Sequence, residues 1–393
     1  MAPTVKLSAI QVLAFSAFGV VLGSWLKRRI PVLDYLNIPA AIVGGLIYSL
    51  AVLILRDRWM NVDMDLALRD LLMIAFFTTI GMGASISLVR TGGPQVALFF
   101  ALATVGAVLQ NVVGIAGATA LGLDALMGIV SGSVALTGGP ATALSFGPTF
   151  ERMGVAGATT LGVSSAMFGI TAGGLLGGFI GGSLIRRHGL QSPRARAISE
   201  QTEVEAQLTE RGLLRNVILI AVAMGIGSVI SAWFTERQIT LPAYIGAMIA
   251  AAVLRNLDDR FRFAGVSQEH MDALGNVALS LFIVMALLTL RLWELVHLAL
   301  PMLVLLFAQI ALVWLMCVGT FRLMGRDYEA AVMAGGFCGF MLGTTANAMA
   351  CMSVLTEKYG PAPRAFIVVP LVGASLIDFT NATVIVQMAN MLK

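Results

Sequence analysis

Two stretches of this chain gather small and hydroxyl-bearing residues where almost nothing nearby is charged. The first runs Ser131, Gly132, Ser133, then Thr137, Gly138, Gly139, Pro140, Ala141, Thr142, Ala143 and Ser145. The second runs Gly335, Gly336, Gly339, then Gly343, Thr344, Thr345, Ala346, Asn347 and Ala348. A Gly pair ahead of Pro, or a Gly ahead of two Thr, interrupts a helical ladder and frees peptide N–H and C=O groups. In hydrocarbon such groups persist only when buried in protein or lining a wet cavity, so re-entrant hairpins are expected at about 125–147 and 329–355. Freed N–H groups and helix N-termini suit a carboxylate, whereas freed carbonyls with Ser, Thr and Asn oxygens make a hard-oxygen cage for a small cation such as Na⁺.

The expected contacts of a small anionic substrate are Thr137, Gly138, Gly139, Thr142, Ser145, Gly343, Thr344, Thr345 and Asn347. The expected contacts of Na⁺ are Ser131, Ser133, Thr345, Asn347, Asp378 and Asn381. Asp378 lies deep in the last apolar run and three residues before Asn381, on one helix face, where a carboxylate is costly and turns toward a site or a partner. Pairing with Thr380 or Thr383 is the competing reading for Asp378. Gln110, Asn111 and Gln309 fall mid-span and are expected to hydrogen-bond between helices. Gly173, Gly174, Gly177, Gly178, Gly181 and Gly182 form two rows at helical spacing, a close-packing face.

The elements that must position these residues are membrane helices. With 58% hydrophobic and 12% charged residues the chain has too few polar groups to coat a soluble globule. Apolar runs suited to roughly 30 Å of hydrocarbon recur at about 8–26, 38–55, 68–89, 95–121 and 155–185, then 213–234, 241–254, 271–292, 297–323 and 364–391. Landmarks recur too: Pro39 with Pro242, Pro94 with Pro301, Gly122 and Asp124 with Gly325 and Asp327, and Gly138 with Gly343, at a spacing of roughly 205 residues. Five spans per half is an odd number, so the second half (213–393) is inverted relative to the first (1–185), with a charged linker over 186–212. Repeated halves with a site between them are the trace of a secondary transporter.

Most of the 25 Lys and Arg fall on one side of the expected topology, including Lys27, Arg28, Arg29, Arg186, Arg187, Arg255, Arg260 and Arg262. By the positive-inside rule that side is cytoplasmic, and both termini are periplasmic. The net charge of +4 is spread over loops, which argues against nucleic-acid binding. Cys317, Cys338 and Cys351 sit in apolar segments as inert thiols. No phosphate-binding loop and no His-Glu-x-x-His motif is present, so neither an enzyme nor a cofactor is expected. A passive channel or a sensor is the reading from another class.

Over its whole length the chain resembles the bacterial sodium and glutamate symporter family. The resemblance is carried by Asp70 to Gly81, by Gly122, Leu123 and Asp124 leading into Leu126, Met127 and Gly128, by Gly275 to Phe282, by Leu292 to Leu295, and by Val369 to Ala374 ahead of Asp378. It implies ten spanning helices, two re-entrant hairpins, a homodimer, an elevator-type movement, and Na⁺-coupled uptake of glutamate at the bacterial inner membrane. The hairpin tips depart from the family pattern: Pro140 stands where a His is expected, and Ala346 where the second tip carries Pro. The expectation is therefore a Na⁺ symporter for glutamate or a related acidic amino acid; the alternative is a carrier of the same fold with another carboxylate or with proton coupling.

Overall fold

The computed structural model describes residues 3–35, 38–56, 58–87, 93–192, 209–237, 242, 244–290 and 295–392. Most of the charged linker, including Pro193, Glu200, Glu203 and Glu205, lies outside the described residues, as do Arg90 and Leu292 to Glu294. The helices are α1 (Ala9–Arg29), α2 (Pro31–Tyr35), α3 (Ala40–Leu55), α4 (Ala67–Gly83), α5 (Gly93–Ala120), α6 (Ala125–Ile129), α7 (Gly139–Arg152), α8 (Ala158–His188), α9 (Glu210–Glu236), α10 (Tyr244–Phe261), α11 (Gln268–Leu288), α12 (Leu295–Leu323), α13 (Tyr328–Met341), α14 (Thr345–Tyr359), α15 (Pro363–Leu371) and α16 (Ile377–Met391). Two π-helical turns, Val130–Val134 and Val372–Leu376, continue α6 and join α15 to α16. Strands β1 (Thr4–Leu7) and β2 (Asn61–Met64) pair in parallel with Thr4 opposite Asn61. Four-residue strands are too short for periodicity to announce.

Among the described residues six helices are long and apolar enough to cross a membrane: α1, α5, α8, most of α9, α11 and most of α12. The other four expected spans are shorter or broken. At 1.5 Å per residue the 16 residues of α3 reach about 24 Å and the 17 of α4 about 26 Å, and α10 carries Arg255, Asp258, Asp259 and Arg260 in its last turns. The last run is interrupted by a π turn at Val372–Leu376.

Packing divides the helices into two bodies. In one, α1 lies on α3, α3 and α4 on α11, and α4 and α9 on α10. The other contains α5 to α8 and α12 to α16, with α8 lying against α7, α13 and α14. The closest approach within the second body is between α5 and α6. A Cβ at Gly114 would stand 2.0 Å from the Gly128 carbonyl oxygen, and one at Gly128 would stand 2.2 Å from that of Gly114. Only glycine at both positions lets these backbones touch.

Candidate functional site

Each broken stretch folds as two helical arms joined by a turn. Gly122 and Gly325 take positive φ, and two residues later an aspartate starts the first arm. Asp124 accepts from the Leu126 N–H at 2.8 Å and Asp327 from the Ala330 N–H at 2.7 Å. Such caps satisfy an N–H that the helix leaves unpaired. The second arms extend past the expected limits of 147 and 355, to Arg152 and Tyr359. The four arms hold 10, 14, 14 and 15 residues, so at about 1.5 Å each none reaches across roughly 30 Å of hydrocarbon.

The break in the first hairpin is at Gly132, whose φ of −93° and ψ of −127° leave the helical region. Side chains from two other helices bond the backbone beside the break. Asn111 on α5 accepts from the Ser133 N–H at 2.9 Å, and Asn381 on α16 donates through Nδ2 to the Ser133 carbonyl at 3.1 Å. Ser133 Oγ and Asn381 Oδ1 are buried and make no hydrogen bond with the described residues. These two oxygens, on neighbouring hydrogen-bonded residues at a helix break, are lone-pair donors of the kind a dehydrated Na⁺ requires. Asn347 places its Nδ2 on the Ile170 carbonyl at 2.6 Å and leaves Oδ1 likewise unbonded.

The two tips meet. A Cβ at Gly139, whose φ is +68°, would be 3.5 Å from the Gly343 carbonyl oxygen and 3.6 Å from Thr344 Cγ2. Beside that meeting lies a cavity of about 590 Å³ between the two bodies. Its second-body wall includes Thr137, Gly138, Pro140, Gly343, Thr344, Thr345, Ala346 and Asp378, and its first-body wall includes Ser24, Thr79, Asp272, Asn276 and Ser280. Among these lining residues are two carboxylates and no Lys or Arg. The first N–H groups of α14, on Thr345 and Ala346, are left free by the geometry of any helix start and lie on this wall.

Of the residues expected from sequence, Thr137, Gly138, Gly343, Thr344, Thr345 and Asp378 line the cavity. Gly139 forms the tip contact. Thr142 packs on Gly138, and the Ser145 hydroxyl donates to the Ala141 carbonyl in its own helix. Ser131 likewise donates to the Met127 carbonyl. Asn347, Asn381 and Ser133 are buried behind the lining. The hydroxyls of Thr380 and Thr383 donate to carbonyls of Leu376, Ile377 and Phe379, so they give no proton to Asp378, which turns to the cavity instead. The three cysteines are free and buried.

Sequence reasoning missed Asp272, Asn276 and Ser280. They recur every four residues along α11, so a polar stripe on an otherwise apolar helix was the available signal. Gly177 turns to hairpin two, its would-be Cβ standing 2.7 Å from the Gly335 carbonyl oxygen, as a packing face requires.

The sequence profile of the family described as Sodium/glutamate symporter matches residues 5–361. A sodium/glutamate symporter of Escherichia coli (strain K12) is 38% identical over 388 residues, and that of Shigella flexneri equally so, with 96% of each chain covered. One of Haemophilus influenzae is 35% identical over 393 residues, again with 96% of each chain covered. This chain belongs to the sodium/glutamate symporter family.

Proposed function

We propose that the chain carries glutamate or a closely related acidic amino acid into a bacterial cell across the inner membrane, driven by Na⁺ and by alternating access. Membership of a family of sodium-coupled glutamate transporters supports the coarse reading. The observation that carries the finer one is the cavity at the hairpin tips: its lining offers unpaired helix-start N–H groups to carboxylates and the Asp378 and Asp272 carboxylates to an ammonium group. No lining cation competes with Na⁺. Ser133, Asn347 and Asn381 supply oxygens for the ion, with Ser131, Thr345 and Asp378 as further candidates, while Thr137, Gly138, Gly139, Thr142, Ser145, Gly343, Thr344 and Thr345 frame the anion.

The cavity reaches the end of the first body that carries Lys27 to Arg29 and Arg260 with Arg262, since Ser24, Pro39 and Asp272 belong to its wall. By the positive-inside rule this is the cytoplasmic face, both termini lie outside, and the conformation is inward-facing. On the other side Phe77 and Tyr244 of the first body stack against each other at 3.8 Å between ring centroids, and Phe146 of hairpin one meets Tyr244 edge-on at 5.8 Å. All three rings are buried. Alternating access then consists of the second body sliding along α4, α10 and α11, an elevator stroke performed by two inverted repeats, in a homodimer held through the first body.

The test is uptake of labelled glutamate by proteoliposomes with and without an inward Na⁺ gradient, with glutarate, which lacks the amino group, as competitor. Gradient-driven accumulation that glutarate inhibits poorly is expected. Uptake indifferent to Na⁺ but driven by a proton gradient would replace Na⁺ by proton coupling, and currents without saturation would mean a channel.

A further inference from the structure

Gln110 lies in the middle of α5, fully buried and away from the cavity lining, yet its amide touches both hairpins. Its Oε1 accepts from Thr137 Oγ1 at 2.6 Å, and its Nε2 donates to the Met341 carbonyl at 2.7 Å. Thr137 belongs to the turn of hairpin one. Met341 ends the first arm of hairpin two, two residues before the tip glycine Gly343. The main-chain carbonyl of Gln110 accepts a separate bond, from Gln309 Nε2 of α12 at 2.7 Å, which touches neither tip. Thr137 completes the loop by lying 3.8 Å from Met341 Sδ.

We infer that Gln110 is a positioning residue that couples the two hairpin tips, so that order imposed on one by a bound ion is passed to the other and raises its affinity for substrate. The physical reason is that a primary amide has one acceptor and one donor end at a fixed separation. If either hairpin shifts alone, a buried polar group is left without its partner, which is unfavourable. Joint movement costs nothing comparable. Thr137 also has its only proton committed to Gln110, so among the groups that frame the acidic amino acid it presents lone pairs to the ammonium end. The neighbouring Asn111 holds the Ser133 N–H at the break that carries the candidate ion oxygens, so consecutive residues of α5 attach to the ion side and to the tip contact. This inference rests on the Na⁺-coupled reading given above.

The experiment is thermal-shift titration of the purified full-length protein with glutamate, in Na⁺-free and Na⁺-saturated buffer, for the wild type, Gln110→Leu, Gln110→Glu and Gln309→Leu. Coupling free energies between sites usually correspond to factors of about 5–150, and linkage makes the Na⁺ effect on glutamate equal the glutamate effect on Na⁺. The wild type is expected to bind glutamate at least tenfold more tightly in Na⁺. Gln110→Leu is expected to bring that ratio below about threefold while Na⁺-free affinity stays within threefold of wild type. Gln110→Glu keeps the acceptor for Thr137 and loses the donor to Met341, and is expected to reduce the ratio as well. Gln309→Leu removes a buried bond of the same kind that touches neither tip, and should lower the melting temperature while keeping the ratio. An undiminished ratio in Gln110→Leu and Gln110→Glu, or an equal loss in Gln309→Leu, would overturn the inference alone. A wild type whose glutamate binding ignores Na⁺ would overturn the functional reading together with it.

Discussion

Asn381 shows how much one side chain is asked to do at the broken hairpin. Its Nδ2 secures the Ser133 carbonyl, while Oδ1 is buried and unbonded next to an equally unbonded Ser133 hydroxyl. Replacing it by Leu removes both functions, Asp restores an anionic oxygen pair, and Ser133→Ala removes only the hydroxyl. We expect Ser133→Ala to raise the Na⁺ concentration for half-maximal uptake about tenfold, as one lost ligand bond of 1–2 kcal/mol would, and Asn381→Leu to raise it further. A Na⁺ titration that superimposes on the wild type for both variants would remove these residues from the ion site. For Asp378→Asn the expected outcome is loss of at least nine-tenths of uptake with the melting temperature held, because the side chain faces the cavity and the nearby threonines bond to backbone instead. Asp378 and Asn381 could be read from sequence because a polar residue in a long apolar run stands out. Asp272 and Asn276 were harder to read, since their four-residue stripe starts among the polar Gln268, Glu269 and His270, where proximity to water explains a polar residue equally well.

The hairpins were the most legible elements, because Gly and Pro at their tips and an Asp two residues after a Gly at their bases each have a backbone reason that does not depend on tertiary context. Their lengths were less legible. The second arms run on to Arg152 and Tyr359 because apolar pattern fades before helical backbone does. The partnership between Gln110 and both tips was invisible, since it joins residues 27 and 231 positions apart. The base of hairpin two carries more bonds than its cap alone: Asp327 also meets Arg364 at 2.7 Å, and Glu329 accepts from the Ala365 N–H at 2.9 Å. Asp327→Ala therefore removes a cap worth about 1 kcal/mol plus an ion pair with a half-exposed carboxylate worth less than that. Asp124→Ala loses the cap alone. A melting-temperature drop for Asp327→Ala no smaller than that for Asp124→Ala is the expected result, and the reverse order would mean that Arg364 contributes nothing.

At the scale of the whole molecule, an apolar, sparsely charged chain has sorted its helices into two bodies whose shared boundary is polar at one end and aromatic at the other. The polar end is the cavity, where α11 supplies Asp272, Asn276 and Ser280 opposite the hairpin tips. The aromatic end is Phe77, Tyr244 and Phe146, with Phe150 stacked on Phe146 at 5.9 Å. If the second body carries the cargo past the first, Phe146 must leave Tyr244 in every cycle. Joining these positions should therefore stop transport without preventing folding. The three native cysteines are free, so they are first replaced by Ala, after which a Tyr244→Cys, Phe146→Cys pair can be bridged by a short, reducible bis-thiol reagent that enters the space the two rings vacate. Bridging is expected to abolish glutamate uptake in proteoliposomes, reduction to restore it, and each single substitution to leave it unaffected by the reagent. The bridged protein should still show a glutamate-dependent thermal shift, because its cavity on the opposite side remains open. Full uptake after complete bridging would mean that the boundary between the bodies stays closed throughout the cycle and that access alternates by movements of the hairpins alone.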